Sequence, residues 1–502
     1  MNRVSALVVC AASLGGIAIS DGCVPQRSAP SARTATAPRP SPVPDRPKTG
    51  FAEPINTSFE GVTCFRGNVK RNYSGEGPVP TGHVQILWRA EIGGNPGGGG
   101  WSGVGWTGQP LIVNWPEEVR RHMNFYDPPG PSLEIIVGAL DGQVHFFDAE
   151  TGSRSRPPLA MPARNPIKGT VTIDPRGYPI LYVGCGLNRA KAAYRAFSLT
   201  DFKELLALPG IDPSAPRRWP AFDSNGIVID DTLYLVGENG LLYKVRLNAA
   251  WKPDVGRVGL DPEVQKVRFS KDGAESSIAV YQGNAYWGDT GGNLWRASLE
   301  NPTDVQAIRA LGDDSDSSVT FDDDGAFYVG IELDHRRKRP GTGVLYKLSA
   351  PDARLVWRYE FPAETYYGES RLHAINGGVV SSAAVWPEGN LVFITTAHSP
   401  TLYRGDLVAL DRKTGKPKWK KALKGFTWSS PVCMGGTVVA CDTTGAVTVL
   451  DAKTGKSLLT DSRGESVESL DCGAAIESSP IVWKGRIYVG IRGGGLLCLG
   501  TR

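Results

Sequence analysis

No segment of this 502-residue sequence carries apolar residues at helical spacing over several turns, which argues against helical bundles and α/β enzymes. No CxxC pair occurs, so a zinc ribbon or thioredoxin-like site is set aside. No GxSxG elbow offers a hydrolase serine, and the Gly-rich runs at Asp289-Thr290-Gly291-Gly292 and Gly493-Gly494-Gly495 open onto no helix that could hold a phosphate. Neither charge dominates: 55 Lys and Arg stand against 51 Asp and Glu without a basic stripe, which argues against a nucleic-acid binder. After residue 19 no apolar run is long enough for a membrane-spanning helix. The six histidines (83, 122, 145, 335, 373 and 398) show no ligand spacing, and His145, alternating with Phe146 and Phe147, is expected to be packed. What is abundant is glycine, at 61 residues, together with 13 tryptophans. Gly-rich turns between aromatic-bearing strands point to an all-β chain.

The N-terminal fifty residues read as address and tether. An apolar run from residue 4 to 19 follows Asn2 and Arg3 and is closed by Asp21, so residues 1–22 are expected to form a secretory signal peptide. Two processing routes stay open. Ala18-Ile19-Ser20 offers small residues to a signal peptidase, whereas Cys23 offers a thiol for lipidation. Residues 23–50 hold seven prolines and are expected to be a disordered linker. The expectation is export to the periplasm or cell surface, with membrane attachment, if any, through an outer-membrane lipid anchor at Cys23.

A repeat runs through the remainder. Short strands behind small polar residues begin at Gly108, Lys168, Ser224, Ser276, Ser317, Ser381, Ser429 and Ser478. Their mean spacing, about 53 residues, is near the length of a four-stranded propeller blade. Each unit continues through a turn, a second strand such as ILYVG or RIYVG, a Gly-rich turn and a third strand such as NLWRA or AVTVLD. One such sheet cannot bury both faces, so the sheets must stack, and eight in sequence close into a ring that removes exposed edges. Residues 51–502 are therefore expected to form a single eight-bladed β-propeller. The last unit has only three strands, and residues 84–89 are expected to supply the missing outer one, closing the ring.

At this point the residues carry a resemblance. Ala409-Leu410-Asp411-Arg412-Lys413-Thr414-Gly415-Lys416-Pro417-Lys418-Trp419 resembles the tryptophan-docking motif of quinoprotein propellers, through Ala409, Asp411, Thr414, Gly415 and Trp419. Asp148 to Gly152 and Asp451 to Gly455 are partial copies. The opening, Cys64-Phe65-Arg66-Gly67-Asn68 through Gly77-Pro78-Val79-Pro80 to Leu87-Trp88-Arg89, is similar to those of exported quinoprotein-like repeat proteins. The resemblance implies one of two kinds of protein. Alcohol and glucose dehydrogenases of the family bind pyrroloquinoline quinone on the axis, while the lipoprotein of outer-membrane barrel assembly carries no cofactor and acts as a docking platform. This chain lacks the adjacent-cysteine pair of many such alcohol dehydrogenases. No catalytic, cofactor-binding or metal-binding residue is therefore assigned, and neither the quinone nor Ca²⁺ is expected.

Several local features have bland readings. Asp313-Asp314-Ser315-Asp316 and Asp322-Asp323-Asp324 could together suggest Ca²⁺, but they flank a strand at opposite ends and are expected to be solvated loops. The insert from Glu117 to Pro131 and the run His335-Arg336-Arg337-Lys338-Arg339 are expected to project from the rim. Cys441 ends a second strand and Cys472 lies in the crossing to the last blade. Both positions emerge on one face, so a disulfide between them is expected. The function expected is that of a monomeric binding or scaffolding platform in the cell envelope, docking a protein or envelope polymer on its loop face. A quinone-dependent dehydrogenase is one alternative. A carbohydrate- or polymer-binding module using Trp101 and Trp106 is the other.

Overall fold

The repeat folds into eight antiparallel sheets, each following the chain outward from an innermost strand. A computed structural model of the chain describes residues 52–96, 102–105, 108–187, 191–334, 341–367 and 374–502. The signal peptide, the linker, Cys23, Trp101, Trp106 and the basic run 335–339 lie outside the described residues. The innermost strands are Leu111–Asn114, Thr172–Ile173, Ile227–Ile229, Ala279–Tyr281, Thr320–Phe321, Ala384–Trp386, Val432–Met434 and Ile481–Trp483. Blade four shows the pattern: Ala279–Tyr281, Asn284–Gly288, Asn293–Ser298 and Val305–Ala310 pair in sequence. Eight apolar clusters fill the spaces between the sheets. Ile180 and Tyr182 of blade two pack with Leu233 and Leu235 of blade three, and Ile481 and Tyr488 of blade eight pack with Ile112 and Ile135 of blade one. Burial on both faces of every sheet is what makes the ring hold together.

Closure uses the predicted strand. Gln85–Glu91 pairs antiparallel with Gly495–Gly500, from Gln85 opposite Gly500 to Glu91 opposite Gly495. Trp88 then reaches into blade one, where its indole Nε1 donates to the carbonyl of Ala149 at 3.2 Å.

The stretch before that strand does something the repeat did not foretell. Residues 60–76 run inside the ring and pair with the free edges of the innermost strands. Gly61 and Val62 lie antiparallel to Val113 and Ile112, and Gly75 and Glu76 lie parallel to Val482 and Trp483. Between them, Ile173 N–H donates to Thr63 O at 2.8 Å and Phe321 N–H to Lys70 O at 3.0 Å. The guanidinium of Arg66 donates to Ser382 O, Ala383 O and Pro431 O, and that of Arg71 donates to Ile278 O, Phe65 O and Asn225 O. All eight blades are thereby joined to one plug. The innermost strands of an open channel would leave their edge groups to water, and the plug satisfies them instead. Gly75 is required here: its φ is +138° and a Cβ would lie 1.6 Å from Val482 O.

The insert from Glu117 does not project freely. It forms a short helix, Glu117–Arg120, and buries Val119, Met123 and Phe125 in the core between blades one and two. Its apolar side chains find a better environment against the sheet than in water, which outweighs the cost of ordering the segment.

Candidate functional site at the channel mouth

The paired serines of the repeat have two distinct tasks. In blades four and eight the first of the pair ties down its own blade, Ser276 Oγ donating to Gly288 O and Ser478 Oγ to Gly490 O, both at 2.9 Å, whereas Ser317 Oγ donates to Ser381 O of the next blade at 2.9 Å. The second accepts from the preceding blade. Asn225 N–H donates to Ser277 Oγ, Ser277 N–H to Ser318 Oγ and Ser382 N–H to Ser430 Oγ, each at 2.9 Å, and Ser430 N–H reaches Ser479 Oγ at 3.0 Å. The second blade joins through Thr170, whose Oγ1 accepts from Gln109 N–H at 2.9 Å. Thr170 thus stands where Ser277 and Ser430 stand, and Gly169 rather than Lys168 matches Ser224, a one-residue correction to the alignment read from sequence. The inner strand of every blade then starts two residues after this hydrogen-bonded position.

With that register, Lys168, Asp223, Glu275, Asp316, Val380, Trp428 and Glu477 occupy one equivalent position in successive blades. They form a tier above the ring of hydroxyls. Beneath them lies a cavity of about 10 Å³, walled by Asn225, Glu275, Asp316, Trp428 and the inner serines and floored by Phe65 of the plug. That is room for one water-sized occupant.

One side of the tier is acidic and buried. Asp223, Glu238 and Glu275 place carboxylate oxygens within 4.8 Å of one another. Asp314, Asp316 and Glu332 adjoin them, each at most 6% exposed. The expectation of a solvated loop at 313–316 is therefore overturned: the crossing into blade five folds inward over the channel, and Glu332 N–H donates to Asp314 O at 2.8 Å to hold it there. Asp322, Asp323 and Asp324 sit elsewhere, paired with Lys347 and Arg412. Lys168 forms an ion pair with Asp223, and the field of Arg217 reaches Glu238 and Glu275. Burial, reinforced by the neighbouring carboxylates, pushes Glu238, Glu275, Asp314 and Asp316 well above the usual carboxylate range. Burial also carries Glu332 to about 7, against hydrogen bonds from Asp316 and Asn376 that pull it down.

The other residues singled out in the sequence are placed as follows. His145 is buried, with Nε2 3.0 Å from Asp141 Oδ2 and its ring stacked on Phe147. In the docking motif, Asp411 Oδ1 accepts from Thr414 N–H at 2.9 Å and from its hydroxyl at 2.9 Å, closing the turn. Ala409 is buried opposite Trp419 in the sheet, and Trp419 Nε1 donates to Ala452 O at 3.0 Å in the next blade, over Gly455. Trp357 does the same to Arg412 O at 3.1 Å, over Gly415. Cys441 and Cys472 are buried free thiols in one cluster between blades seven and eight.

Residues 368–502 match the family of the outer membrane protein assembly factor BamB. No curated protein matches the chain. Among solved structures, the quinohaemoprotein alcohol dehydrogenase ADHIIG from Pseudomonas putida HK5 is similar with 10% identity and a TM-score of 0.55, over 89% of this chain and 80% of that one. The quinohaemoprotein alcohol dehydrogenase from Comamonas testosteroni gives 12% and 0.55, over 88% and 81%. BamB from Moraxella catarrhalis gives 13% and 0.44, over 84% and 97%. The chain has the fold of an eight-bladed, quinoprotein-like β-propeller. Likeness at these identities concerns the fold alone, so the chemistry has to be argued from the channel. The described channel of this quinoprotein-like propeller does not fit a quinone. Between plug and tier it offers about 10 Å³, against the several hundred Å³ of a typical cofactor pocket. Pyrroloquinoline quinone is itself a tricarboxylate, and the wall it would meet carries the carboxylates of Glu275 and Asp316.

The plug and the acidic tier were both missed in the sequence. Arg66 and Arg71 fall outside the repeat and carry no periodic signal. The tier did leave one: Asp223, Glu275 and Asp316 each stand immediately before the aligned pair Ser224-Asn225, Ser276-Ser277 or Ser317-Ser318. Ring symmetry turns a shared repeat position into shared space.

Proposed function

We propose that this propeller is an exported, monomeric envelope protein that docks another protein on the face made by second-to-third-strand turns and blade crossings. Residues 1–22 would direct export, and Cys23 would supply a lipid anchor with residues 23–50 as its tether. The observation that carries the reading is a set of exposed apolar side chains on that face, beside others exposed on the outer strands and inserts (Tyr126, Val255, Val264, Leu355 and Val356). Leu187 and Tyr403 lie in second-to-third-strand turns, and Ile211 and Tyr366 lie in crossings, each more than 40% exposed. Apolar side chains left in water on loops held by a rigid ring are the usual makings of a contact surface. The match of blades six to eight to an outer membrane protein assembly factor supports protein rather than polymer as the partner.

Photo-crosslinking in intact cells tests it. A crosslinker at Leu187 or Tyr403 is expected to capture one discrete partner that a crosslinker at Leu355, on an outer strand, does not. Equal capture from both positions, or recovery of the protein only from the cytoplasm, overturns the reading.

A further inference from the structure

The face opposite the docking loops carries a cavity that the repeat does not call for. Its volume is about 420 Å³, within the range of small-ligand sites, and it lies between blades eight and one. In the other seven blades the connection from first to second strand is two to six residues long, but in blade one it is the insert 115–132. The end of that insert, with Pro131 and Ser132, walls the cavity against Lys484 of blade eight and Glu60 of the plug. Insert and plug are both additions to the ring, so the cavity belongs to this junction and recurs at no other blade by symmetry.

The bases in this wall are already partnered. Lys484 Nζ donates to Glu60 Oε2 at 2.8 Å and lies 3.9 Å from Glu76 Oε1. Arg486 Nη1 donates to Ala149 O at 3.3 Å, and its guanidinium feels the charge of Glu150. The bond from Lys484 holds Glu60 below the usual carboxylate range, and the bond to Glu60 holds Lys484 above the usual ammonium range. An anion would have to draw Lys484 away from Glu60, and a cation would have to draw Glu60 away from Lys484. Hydrogen-bonding capacity remains on both sides all the same. The hydroxyl of Ser132, exposed in the wall, is bound by no described residue, and Arg486 keeps further N–H groups. Asp148 Oδ1 accepts from Glu150 N–H at 2.7 Å and Thr151 N–H at 2.8 Å, which steadies its charge and leaves Oδ2 to accept from a ligand.

We propose that this cavity binds a neutral saccharide of one or two rings, whose hydroxyls accept from Ser132, Lys484 and Arg486 and donate to Asp148 and Glu60. A sugar hydroxyl is donor and acceptor at once, which is what a wall of mixed and mutually paired groups can satisfy without breaking its own ion pair. Pro131 and Leu133 offer apolar surface to the C–H groups of the ring. The walls come from three segments that the fold holds in place: Lys484 N–H donates to Glu76 O at 2.7 Å, Asn114 N–H donates to Glu60 O at 2.9 Å, and Tyr488 Oη donates to Ala149 O at 3.1 Å. Leu187 and Tyr403 lie on the other face, so a sugar here and a protein there would not compete.

The test uses the purified full chain, with saturation-transfer NMR and calorimetry against maltose, cellobiose and N,N′-diacetylchitobiose. Sodium phosphate and glycylglycine serve as charged probes. At least one of the three sugars is expected to bind with a millimolar or tighter Kd that changes less than about twofold between about 50 and 500 mM NaCl, since no charge is exchanged. Ser132→Trp fills the cavity from an exposed position, and Lys484→Ala removes a donor. Both should weaken binding at least tenfold while Tm stays within about 2 °C of the parent, because exposed groups and exposed ion pairs contribute little to stability. No binding of any of the three sugars at about 10 mM, tighter binding of phosphate or glycylglycine, or undiminished binding by Ser132→Trp each overturns the proposal.

Discussion

Arg71 Nε donates to the carbonyl of Ile278 at 2.8 Å, across 207 positions of sequence, from a guanidinium with no exposed surface. The same side chain donates to Phe65 O at 2.8 Å and Asn225 O at 3.2 Å. No carboxylate is needed, because carbonyl dipoles from the plug and from blades three and four replace the water that the charge has lost. Burial draws Arg71 below the usual guanidinium range and brings Arg66 to about 9. At about 9, Arg66 remains charged at neutral pH.

Removing either anchor should loosen the whole ring. Arg71→Ala strands three buried carbonyls and is expected to cost about 3 kcal/mol or more in denaturant unfolding, with residues 52–84 becoming sensitive to protease. A loss below about 1 kcal/mol would show that the plug contributes little to closure.

The docked tryptophans make a second prediction. Trp357 is 8% exposed and lies over Gly415, whose φ is +71° and whose Cβ, if present, would sit 2.6 Å from the indole. Trp357→Ala is expected to cost about 3–5 kcal/mol, and Gly415→Ala about 2 kcal/mol through strain and displacement of the ring. If Gly415→Ala unfolds at the parental midpoint, the indole does not bear on that turn.

His398 predicts a pH dependence. It is fully buried, 4.1 Å from Phe426 between ring centroids, and its Nδ1 accepts from Tyr403 N–H at 2.8 Å. Burial lowers its pKa from 6.5 to about 4. The unfolded chain therefore takes up a proton near pH 6.5 while the folded one refuses it. The stabilisation is whole above pH 6.5 and is lost progressively as pH falls to 4, by about 3 kcal/mol in all. His398→Gln should flatten that part of the stability curve relative to the parent; parallel curves for the two proteins would refute the assignment.

For the thiols, we expect protein recovered from an oxidising compartment to carry a Cys441–Cys472 bond, worth about 3 kcal/mol for a loop of about 30 residues. Peptide mapping without reductant decides it, and two free thiols would end the idea.

The repeat made the ring legible before any coordinate. Alternating strands at a near-constant spacing can bury both faces only by stacking, and a last unit short of one strand called for residues 84–89, which pair as part of Gln85–Glu91. The serine pairs were visible as a pattern, but not as bonds to two different partners, since a hydroxyl's acceptor depends on which backbone group the next blade presents. A one-residue slip at Lys168 hid its place beside Asp223 in the tier, because ring positions coincide in space only when the register is right; Asp223, Glu275 and Asp316 already shared one repeat position.

By itself, then, the sequence determined the local periods: strand, turn, strand, and the number of times they recur. Only the tertiary structure decided that Arg66 and Arg71 would be buried in a plug and that Asp223, Glu238, Glu275 and Asp316 would meet. Turns and strands follow from nearest neighbours along the chain, whereas the meeting of residues tens to hundreds of positions apart depends on how eight sheets close around an axis.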